Sequence, residues 1–499
     1  MRKSQRQMEN PYNQVAYQSS PFPQAHINRL ATMATLFGVE PPDVHSCRVL
    51  ELGCGDGVHL VPMAMEYPEA QFVGVDTADL AVGRATQLAA EMEAENVRFR
   101  VADVRQLGGQ PGECDYFIAH GLYSWVAPQV QDRILDLAGR LLAPNGIAYI
   151  SYNAYPAWHL REMTRNMVRL HAAGLEDPVE IRNRAVALLA TIYRSQGGTE
   201  TYREVVRGEM ERLIGKDPAL CFHDDFGEHN LPVYFTEFVR RASAHGLQFL
   251  SEADSSDLTQ SSELSAETKE ALDSVPDVIE REQYYDYLTS RGFRRTLLCR
   301  ANLQVDRSIP ASRLRTLHFA TAMKAPDNAA EALTTNEPME FGSEGGGSIT
   351  VNQSFVKAAI LELASVWPAT LTFDELLCRT LVAVPPPGNA DPEAMLRELL
   401  LRMQLPGVID INIAPWSHAP TISERPVAAR LARHQAKNGT RVTSLRHRPV
   451  ELDEPLLRSI MPLLDGTRDA EALRATLGVD PDDVRQALCR LHEMALLSG

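Results

Sequence analysis

Short apolar runs alternate with amphipathic stretches along the first third of the chain. The apolar runs predict β-strands over residues 48–52, 71–76, 97–103, 114–120 and 146–153. Between them, apolar residues recur every three or four positions, as they do on one face of a helix. Strands that alternate with helices form a parallel sheet with right-handed crossovers. The pattern therefore predicts an α/β domain with a Rossmann-like, doubly wound sheet.

The periodicity changes after this domain. Residues 161–340 are mainly helical in pattern, with the clearest helices over 179–196, 202–214 and 234–245 and strand-like runs at 247–253 and 291–300. Linker-like stretches at 326–338 and 342–348 precede a second helical region, whose last three short helices are compatible with a winged helix. We expect a flap and covering helix over 1–47, a cofactor domain over 48–160, a middle domain over 161–340 and a C-terminal winged-helix-like domain over 341–499.

The first predicted strand runs directly into three closely spaced glycines, Gly53, Gly55 and Gly57, with Cys54 between the first two. Glycine allows positive φ and a close approach of the backbone to a ligand, and doubly wound sheets bind ligands at the carboxyl ends of their strands. A dinucleotide fingerprint requires glycine where this chain has Val58. The turn therefore indicates a nucleotide-like ligand other than NAD, and an ordinary turn without a ligand is the alternative.

Carboxylates stand at the ends of the first three strands. Glu51 precedes the glycine turn, where it would repel a pyrophosphate and attract a cation. S-adenosylmethionine carries both a sulfonium and an ammonium group, so it suits this position. Asp76 ends the second strand, where a carboxylate can accept both hydroxyl protons of a ribose, although capping the next helix is an alternative role. Asp103 ends the third strand in the same way.

Composition and charge narrow the function further. The 499 residues carry a formal net charge of −16, which argues against nucleic-acid binding and favours a cationic partner. The seven cysteines are dispersed, without the spacing of a zinc site or a disulfide framework. The N-terminus is polar and no run of about 20 apolar residues occurs, so we expect a cytoplasmic protein without a membrane span.

Two local clusters of charged residues could each have a purely structural role. Two histidines and three acids gather at 221–230, but loops before helices are commonly rich in such residues, and we expect no metal. Seven Lys or Arg residues at 425–448 form either a surface for an acidic partner or a solvated face, and we favour the solvated face.

The candidates for acceptor chemistry follow the fourth and fifth strands. Methyl transfer from a sulfonium is an in-line displacement, for which the protein aligns the nucleophile and accepts a proton. We expect Tyr123 to orient the acceptor with its hydroxyl, followed in preference by Tyr152, and His120 to accept or relay a proton.

Aromatic walls at the same ends could hold a lysine stem and attract its ammonium. The residues expected to contact substrate are Trp125, Asn153 and Trp158. For Trp125, Trp158 and His120, packing against a neighbouring domain is an equal alternative.

The assembled motifs resemble those of class I S-adenosylmethionine-dependent methyltransferases, since residues 51–57, Asp76 and Asp103 follow in the superfamily's order. Further segments resemble bacterial methyltransferases that carry a methyltransferase regulatory domain, a group that includes rickettsial protein lysine methyltransferases. These segments are 21–26, 120–126, 144–153, 223–225, 234–238 and 293–300. The similarity extends over nearly the whole chain. One departure is Ala157 in the segment after the fifth strand, where many relatives are expected to have glycine.

The resemblance implies a role for each motif. Gly53 and Gly55 would contact the methionine moiety, Glu51 would lie near its amino group, and Asp76 would hold the ribose. Asp103 and Val104 would meet the adenine, and Tyr17 in the flap would close over the cofactor. The family also implies a middle domain capable of dimerisation and transfer to lysine side chains.

The sequence therefore favours a methyltransferase that N-methylates lysine side chains of proteins. Two alternatives stay open. One is methylation of a small molecule, which a closed acceptor pocket would favour. The other is a regulator without catalysis that binds S-adenosylmethionine and uses residues 352–499 to hold a partner.

Overall fold

A seven-stranded sheet lies at the centre of the N-terminal part of the computed structural model. The structure describes residues 10–17, 19–108, 112–195, 197–253, 264–333, 335, 337–342, 348–386, 388–404, 408–419 and 421–498. The strands of the central sheet are β1 (Arg48–Leu52), β2 (Gln71–Asp76), β3 (Val97–Val101), β4 (Cys114–Ala119), β5 (Leu142–Asn153), β6 (Leu247–Glu252) and β7 (Phe293–Arg300).

The strand order across this sheet is β3-β2-β1-β4-β5-β7-β6. Strands β1 to β5 pair in parallel, whereas β7 is antiparallel to both β5 and β6. All residues of β4 are buried, as expected for a central strand covered on both faces. Strands β2 and β3 are added on one side of β1, and β4 and β5 on the other, and this reversal of strand order opens a crevice at the carboxyl ends of β1 and β4.

Helices cover both faces of the sheet. In chain order the first ten are α1 (Pro11–Gln14), α2 (Ile27–Leu36), α3 (Leu60–Glu66), α4 (Asp79–Glu91), α5 (Pro128–Leu141), α6 (Ala157–His171), α7 (Pro178–Arg194), α8 (Glu200–Gly215), α9 (Pro218–Asp224) and α10 (Phe235–Ala244). Helix α5 begins with proline at its first position, where the missing N–H costs nothing. The helices that continue the series are α11 (Ala266–Asp273) and α12 (Val278–Thr289).

Strands β6 and β7 change the predicted division of the chain. Both were expected as strands, but within a middle domain over 161–340. In the structure, residues 148–153 of β5 pair with residues 293–298 of β7, so the first sheet continues to residue 300. A boundary at residue 160 would cut through this sheet. Helices α6 to α9 are instead an insertion between β5 and β6, with a small core of their own around Val168, Leu189 and Val206.

The C-terminal half begins before the predicted boundary. Its strands are β8 (His318–Ala320), β9 (Met339–Gly342), β10 (Ser348–Val351), β11 (Leu371–Thr372), β12 (Asp410–Asn412), β13 (Arg441–Thr443) and β14 (Pro449–Glu451). Strand β8 lies between β11 and β12 in one sheet. The expected linker at 342–348 joins β9 to β10, which pair as an antiparallel hairpin, and residues 343–347 lie outside the described part of the chain.

The remaining helices are α13 (Ala311–Leu314), α14 (Ala329–Ala332), α15 (Ser354–Ser365), α16 (Phe373–Ala383), α17 (Pro392–Gln404), α18 (Arg430–Gln435), α19 (Pro455–Ile460), α20 (Ala470–Leu477) and α21 (Pro481–Glu493). Helices α18 to α21 and the β13–β14 hairpin enclose a separate core built on residues such as Leu457, Leu473 and Leu491. These four helices and the β-hairpin form the expected winged helix. No helix among the residues the structure describes has the length and hydropathy needed to cross a membrane.

Candidate functional site

A cavity of about 460 Å³ opens at the carboxyl ends of β1, β2 and β4. Its floor is the glycine turn after β1, and its cover is the N-terminal segment that contains α1. Of the nine residues predicted to bind the cofactor, eight line this cavity: Glu51, Gly53, Cys54, Gly55, Asp76, Asp103, Val104 and Tyr17.

The glycine turn is held against β2 by its own backbone. The N–H groups of Gly53 and Cys54 both donate to the carbonyl of Val75, at 2.8 and 3.2 Å. Gly53 and Gly55 have φ of 78° and 52°, which glycine adopts without steric cost. The absence of side chains at these two positions leaves backbone open to the cavity.

Gly57 has a different role from the one predicted. It does not line the cavity. A Cβ at this position would lie 2.8 Å from Cζ of Phe99 and 2.9 Å from Cβ of Ala85. Gly57 therefore allows the turn to pack tightly between β3 and α4, and its contribution to ligand binding is indirect.

Glu51 supplies a buried carboxylate to the cavity. The residue is 3% exposed, and its Oε2 atom has no hydrogen-bond partner among the described residues. Burial raises the pKa of Glu51 well above its usual value, and the neighbouring carboxylates of Asp76 and Asp56 raise it further. A cation is the partner that this group lacks, so the ammonium group of S-adenosylmethionine fits here.

Asp76 is fixed for recognition of a polar ligand. Its Oδ2 accepts from the N–H of Gly55 at 2.9 Å, and its Oδ1 accepts from the N–H of Ala78 at 2.8 Å. Burial raises the pKa of Asp76, and these backbone bonds counteract part of that effect. The helix-capping alternative is thus partly correct, because one oxygen serves the backbone that leads into α4. Each carboxylate oxygen retains a further lone pair for a ribose hydroxyl.

Asp103 and Val104 line the cavity at the end of β3. The carboxylate of Asp103 pairs with the guanidinium of Arg105, with Oδ2 2.5 Å from Nη2, and this hydrogen bond lowers the pKa of Asp103. Val104 is buried and presents an apolar surface. Such a wall suits a flat apolar ring such as adenine.

His120 stands at the end of β4, on the cavity wall. Its Nδ1 lies 2.8 Å from the hydroxyl of Tyr149, and its ring stacks on Phe22 with centroids 3.6 Å apart. Burial lowers the pKa of His120 to about 3, with a smaller contribution from Arg295. The imidazole is therefore neutral near pH 7 and is a weak proton acceptor.

Tyr123 and Tyr152 do not reach the cavity, which contradicts their predicted role at the acceptor. Both side chains are buried and pack on Phe238, with ring centroids 5.3 Å and 4.1 Å away. The hydroxyl of Tyr152 lies 2.9 Å from Oγ1 of Thr296 on β7. Tyr152 lies on β5 and Tyr123 in the short 3₁₀ helix after β4, and both rings belong to the core beneath α5 and α10.

The three residues predicted to contact substrate lie close together, and the rings of Trp125 and Trp158 meet edge-to-face with centroids 6.3 Å apart, but their surroundings differ. Trp125 lines the cavity. Trp158 is 3% exposed, and its Nε1 donates to the carbonyl of Gly292 at 2.8 Å. Asn153 is also buried, and its amide donates to Asn230 at 2.9 Å. Packing is therefore the role of Trp158 and Asn153.

Several cavity residues were not predicted. They are Tyr12, Ser19, Phe22, His59, Asp224 and His229. The first three belong to the Pro-, Tyr- and Ser-rich flap, and the last two lie in the cluster at 221–230 that was considered as a metal site. Both stretches stood out by composition, but nothing in their spacing indicated which side chains would face the cofactor.

Contacts with two parts of the chain hold the flap around α1 in place. The amide of Asn13 donates to Asp79 at 2.7 Å, and its oxygen accepts from the N–H of Leu80 at 3.3 Å. On the other side, Tyr12 stacks on His223 at 4.4 Å, and Nε2 of His223 donates to the carbonyl of Val15 at 2.8 Å. The N-terminal segment therefore connects the cofactor domain to the helical insertion above the cavity.

Three protein families match consecutive parts of this chain. Residues 43–203 match a family described as "Methyltransferase domain", residues 217–300 match "Predicted methyltransferase regulatory domain", and residues 424–480 match "PKMT, C-terminal winged helix domain". These matches confirm the predicted fold class and the order of its parts.

Similar proteins match along nearly the whole length. The uncharacterised protein RP789 of Rickettsia prowazekii is 30% identical over 94% of this chain and 86% of its own. The structure of PKMT2 from Rickettsia typhi in complex with AdoHcy matches with a TM-score of 0.87 at 25% identity, over 97% of this chain and 100% of that chain.

Proposed function

Because the chain belongs to the family of class I S-adenosylmethionine-dependent methyltransferases with a regulatory domain and a PKMT-type winged helix, we propose that it methylates lysine side chains of proteins. It is an enzyme, and S-adenosylmethionine is its cofactor. PKMT abbreviates protein lysine methyltransferase. The observation that carries the proposal is the match to PKMT2, which extends through the winged helix and so covers more than the methyltransferase domain.

The residues of the cavity divide into two groups. Glu51, Gly53, Gly55, Asp76 and Asp103 are proposed to hold the cofactor, and its sulfonium supplies the electrophilic methyl group when it is bound. Tyr12, Trp125, Asp224 and His120 are proposed to hold the acceptor, and Tyr17 is proposed to close over the cofactor. All of these residues line the same cavity, which joins the two groups.

The acceptor must arrive as an ammonium, release one proton to solvent and react as a neutral amine, since only the amine has a lone pair. Asp224 places a carboxylate on the cavity wall, although its Oδ2 already pairs with Nζ of Lys216 at 2.9 Å, and the rings of Tyr12 and Trp125 favour a cation. The neutral ring of His120 can accept or donate a single hydrogen bond. We therefore propose that His120 orients the amine, the role that was predicted for Tyr123.

We further propose that the enzyme works in the cytoplasm and that its methyltransferase domain extends to residue 300. The second proposal rests on the pairing of β7 with β5. A substrate protein with accessible lysines is the expected partner, and the acidic charge of −16 favours a basic acceptor.

Incubation of the purified protein with methyl-labelled S-adenosylmethionine and a lysate of its own host tests the proposal. We expect label in protein, recovered as methylated lysine after acid hydrolysis. Label only in small molecules would contradict it. Asp76→Ala serves as the control, because loss of the carboxylate that faces the ribose should abolish both cofactor binding and labelling.

A further inference from the structure

Five aromatic rings form a continuous row outside the cofactor cavity, and we refer to them as the aromatic row. From one end to the other they are His159, Tyr155, Tyr234, Tyr287 and Tyr284. Successive ring centroids are 4.0, 5.2, 6.2 and 6.2 Å apart. A single ring on a surface needs no explanation, but a row of this length is a feature of binding surfaces.

Helix α12 exposes two of its tyrosines and buries the third, Tyr285, together with two polar residues. Tyr284, Tyr287 and Leu288 are 41%, 50% and 50% exposed, whereas Gln283 and Asp286 are buried. Asp286 is held by Arg294, with Oδ1 2.8 Å from Nη2 and Oδ2 2.9 Å from Nε. Removing one partner of a buried ion pair is costly, so the helix cannot rotate to bury its tyrosines.

The aromatic row starts beside the catalytic edge of the sheet. Tyr155 follows directly after the end of β5, and β5 is the neighbour of β4, which leads into His120. Phe293, which pairs with Asn153 at that end of β5, has its ring centroid 6.3 Å from that of His120. The row therefore begins at the same sheet edge as the cavity, and the guanidinium of Arg295 lies over the ring of Phe293 between them, 5.2 Å from its centroid.

Carboxylates accept hydrogen bonds from two hydroxyl groups of the row, those of Tyr155 and Tyr284. Tyr155 donates to both oxygens of Glu162, at 2.9 and 3.0 Å. Tyr284 donates to Glu280 at 3.1 Å. The nearby guanidinium of Arg294 points inward and is fully buried. Rings whose hydroxyls rest on carboxylates present electron-rich faces, which attract cations.

We propose that the aromatic row binds a lysine-bearing segment of the protein substrate next to the lysine that is methylated. This inference rests on the proposed function. The row would take an extended stretch of roughly five or six residues, at about 3.3 Å per residue. Aromatic faces and carboxylates together favour cationic side chains over neutral or acidic ones.

The test uses the full-length protein and a fluorescent peptide of about twelve residues with alternating lysine and serine, long enough to cover the row. In the double variant Tyr284→Ala/Tyr287→Ala, we expect binding of this peptide to weaken by roughly fivefold to thirtyfold, as the loss of two exposed cation–π contacts implies. KM for methylation of the peptide should rise in parallel. Unchanged binding and KM would overturn the proposal.

Matched variants separate the chemistry of the row from general damage. Tyr284→Phe/Tyr287→Phe keeps both rings and should retain most of the binding, whereas Glu162→Gln/Glu280→Gln should weaken it. Val382→Ala changes an apolar side chain that is 85% exposed on another helix and should have no effect. Unchanged affinity for AdoHcy in every variant checks that the fold is intact.

Two further outcomes are decisive. If the wild type is a dimer that the alanine variant dissociates, with peptide binding unchanged, the row is an interface between copies and the proposal fails. If the wild type transfers no methyl group to lysine in any protein, the proposed function fails. If the wild type methylates lysine and the alanine variant binds and methylates the peptide equally well, the proposal about the aromatic row fails and the proposed function stands.

Discussion

Glu51 shows how one residue can couple cofactor binding to the stability of the fold. Its carboxylate is buried with an oxygen that has no partner among the described residues, beside the carboxylates of Asp76 and Asp56. Without a cation, ionisation of this group is unfavourable, and its pKa is raised. A bound ammonium reverses the balance, because it favours the ionised carboxylate.

We expect Glu51→Gln to weaken AdoHcy binding by roughly tenfold or more, the usual effect of losing a buried charged hydrogen bond. Wild-type affinity should fall as the pH decreases through the raised pKa of Glu51, whereas the variant should lack this dependence. Titration calorimetry at several pH values measures both effects. Glu69→Gln, on the surface, is the matched control.

The same substitution should stabilise the protein without ligand. Because the pKa of Glu51 is higher in the folded state, folding binds a proton, and stability is lost as the pH rises above about 4.5 toward the raised pKa. Glutamine does not titrate and so does not lose stability in this way. The unfolding temperature of Glu51→Gln at pH 7 should therefore exceed that of the wild type. A variant that is less stable yet binds AdoHcy normally would contradict our account of this site.

Eight of the nine residues predicted for the cofactor line the cavity, because the glycine turn and the ends of the first strands share one edge of the sheet. The residues at the acceptor could not be predicted in this way. Tyr123 and Trp125 lie in one short 3₁₀ helix after β4, and the local turn sends the first ring into the core on Phe238 and the second to the cavity. Sequence position places both near the strand end but does not distinguish their directions.

At the scale of elements, the flap closes the cavity by contacts with two separate parts of the chain. Asn13 bonds to the start of α4, and Tyr12 with Val15 contacts His223 of α9. These contacts are few and lie near the N-terminus, where local opening costs little free energy. Release of the cofactor is therefore expected to require opening of this segment.

Asn13→Ala removes the hydrogen bonds between the flap and α4. We expect AdoHcy to dissociate roughly threefold to tenfold faster, since each such bond contributes about 1 kcal/mol. Stopped-flow measurement of Trp125 fluorescence during displacement by excess S-adenosylmethionine gives the rate. Asn166→Ala, on the exposed face of α6, should dissociate AdoHcy at the wild-type rate. An unchanged rate in Asn13→Ala would show that the flap does not limit release.

The elements themselves follow from hydrophobic periodicity, but their pairing does not. Strands β6 and β7 were predicted from their apolar runs, yet their place in the central sheet depends on contacts with β5 across more than a hundred residues. Periodicity indicates that a strand has a buried face, but it does not indicate which other strand pairs with it. For this reason the domain boundary at residue 160 could not be corrected from the sequence.

At the scale of the whole molecule, the winged helix reaches back to the cofactor domain. His447, in the loop between β13 and β14, is buried. Its Nε2 lies 2.7 Å from Nδ1 of His59, a residue that lines the cavity. Beside it, Arg446 lies over the rings of Trp367 and Trp416 and pairs with Asp410 at 2.8 Å. His447 has a φ of 53°, in the left-handed region, where residues other than glycine are uncommon and Asn, Asp and His are the most frequent of them.

This contact makes the stability of the whole chain sensitive to acid. Burial lowers the pKa of both His59 and His447. His120 and His26 lower the pKa of His59 further, and His26 and His59 lower that of His447 further. The folded state therefore binds fewer protons than the unfolded state, so stability is present above about pH 6.5 and is lost as the pH falls below it. The loss should occur where protonation separates the winged helix from the cofactor domain.

We expect the unfolding temperature of the wild type to fall between about pH 7 and pH 5, and that of His447→Asn to fall less, since asparagine tolerates the positive φ and does not titrate. Differential scanning calorimetry across this range provides the comparison. His171→Asn, on the exposed end of α6, should follow the wild type. Because His59 also lines the cofactor cavity, AdoHcy affinity should decline over the same range in the wild type and less in His447→Asn. Parallel curves for the wild type and His447→Asn would exclude this contact as the acid-sensitive link between the two domains.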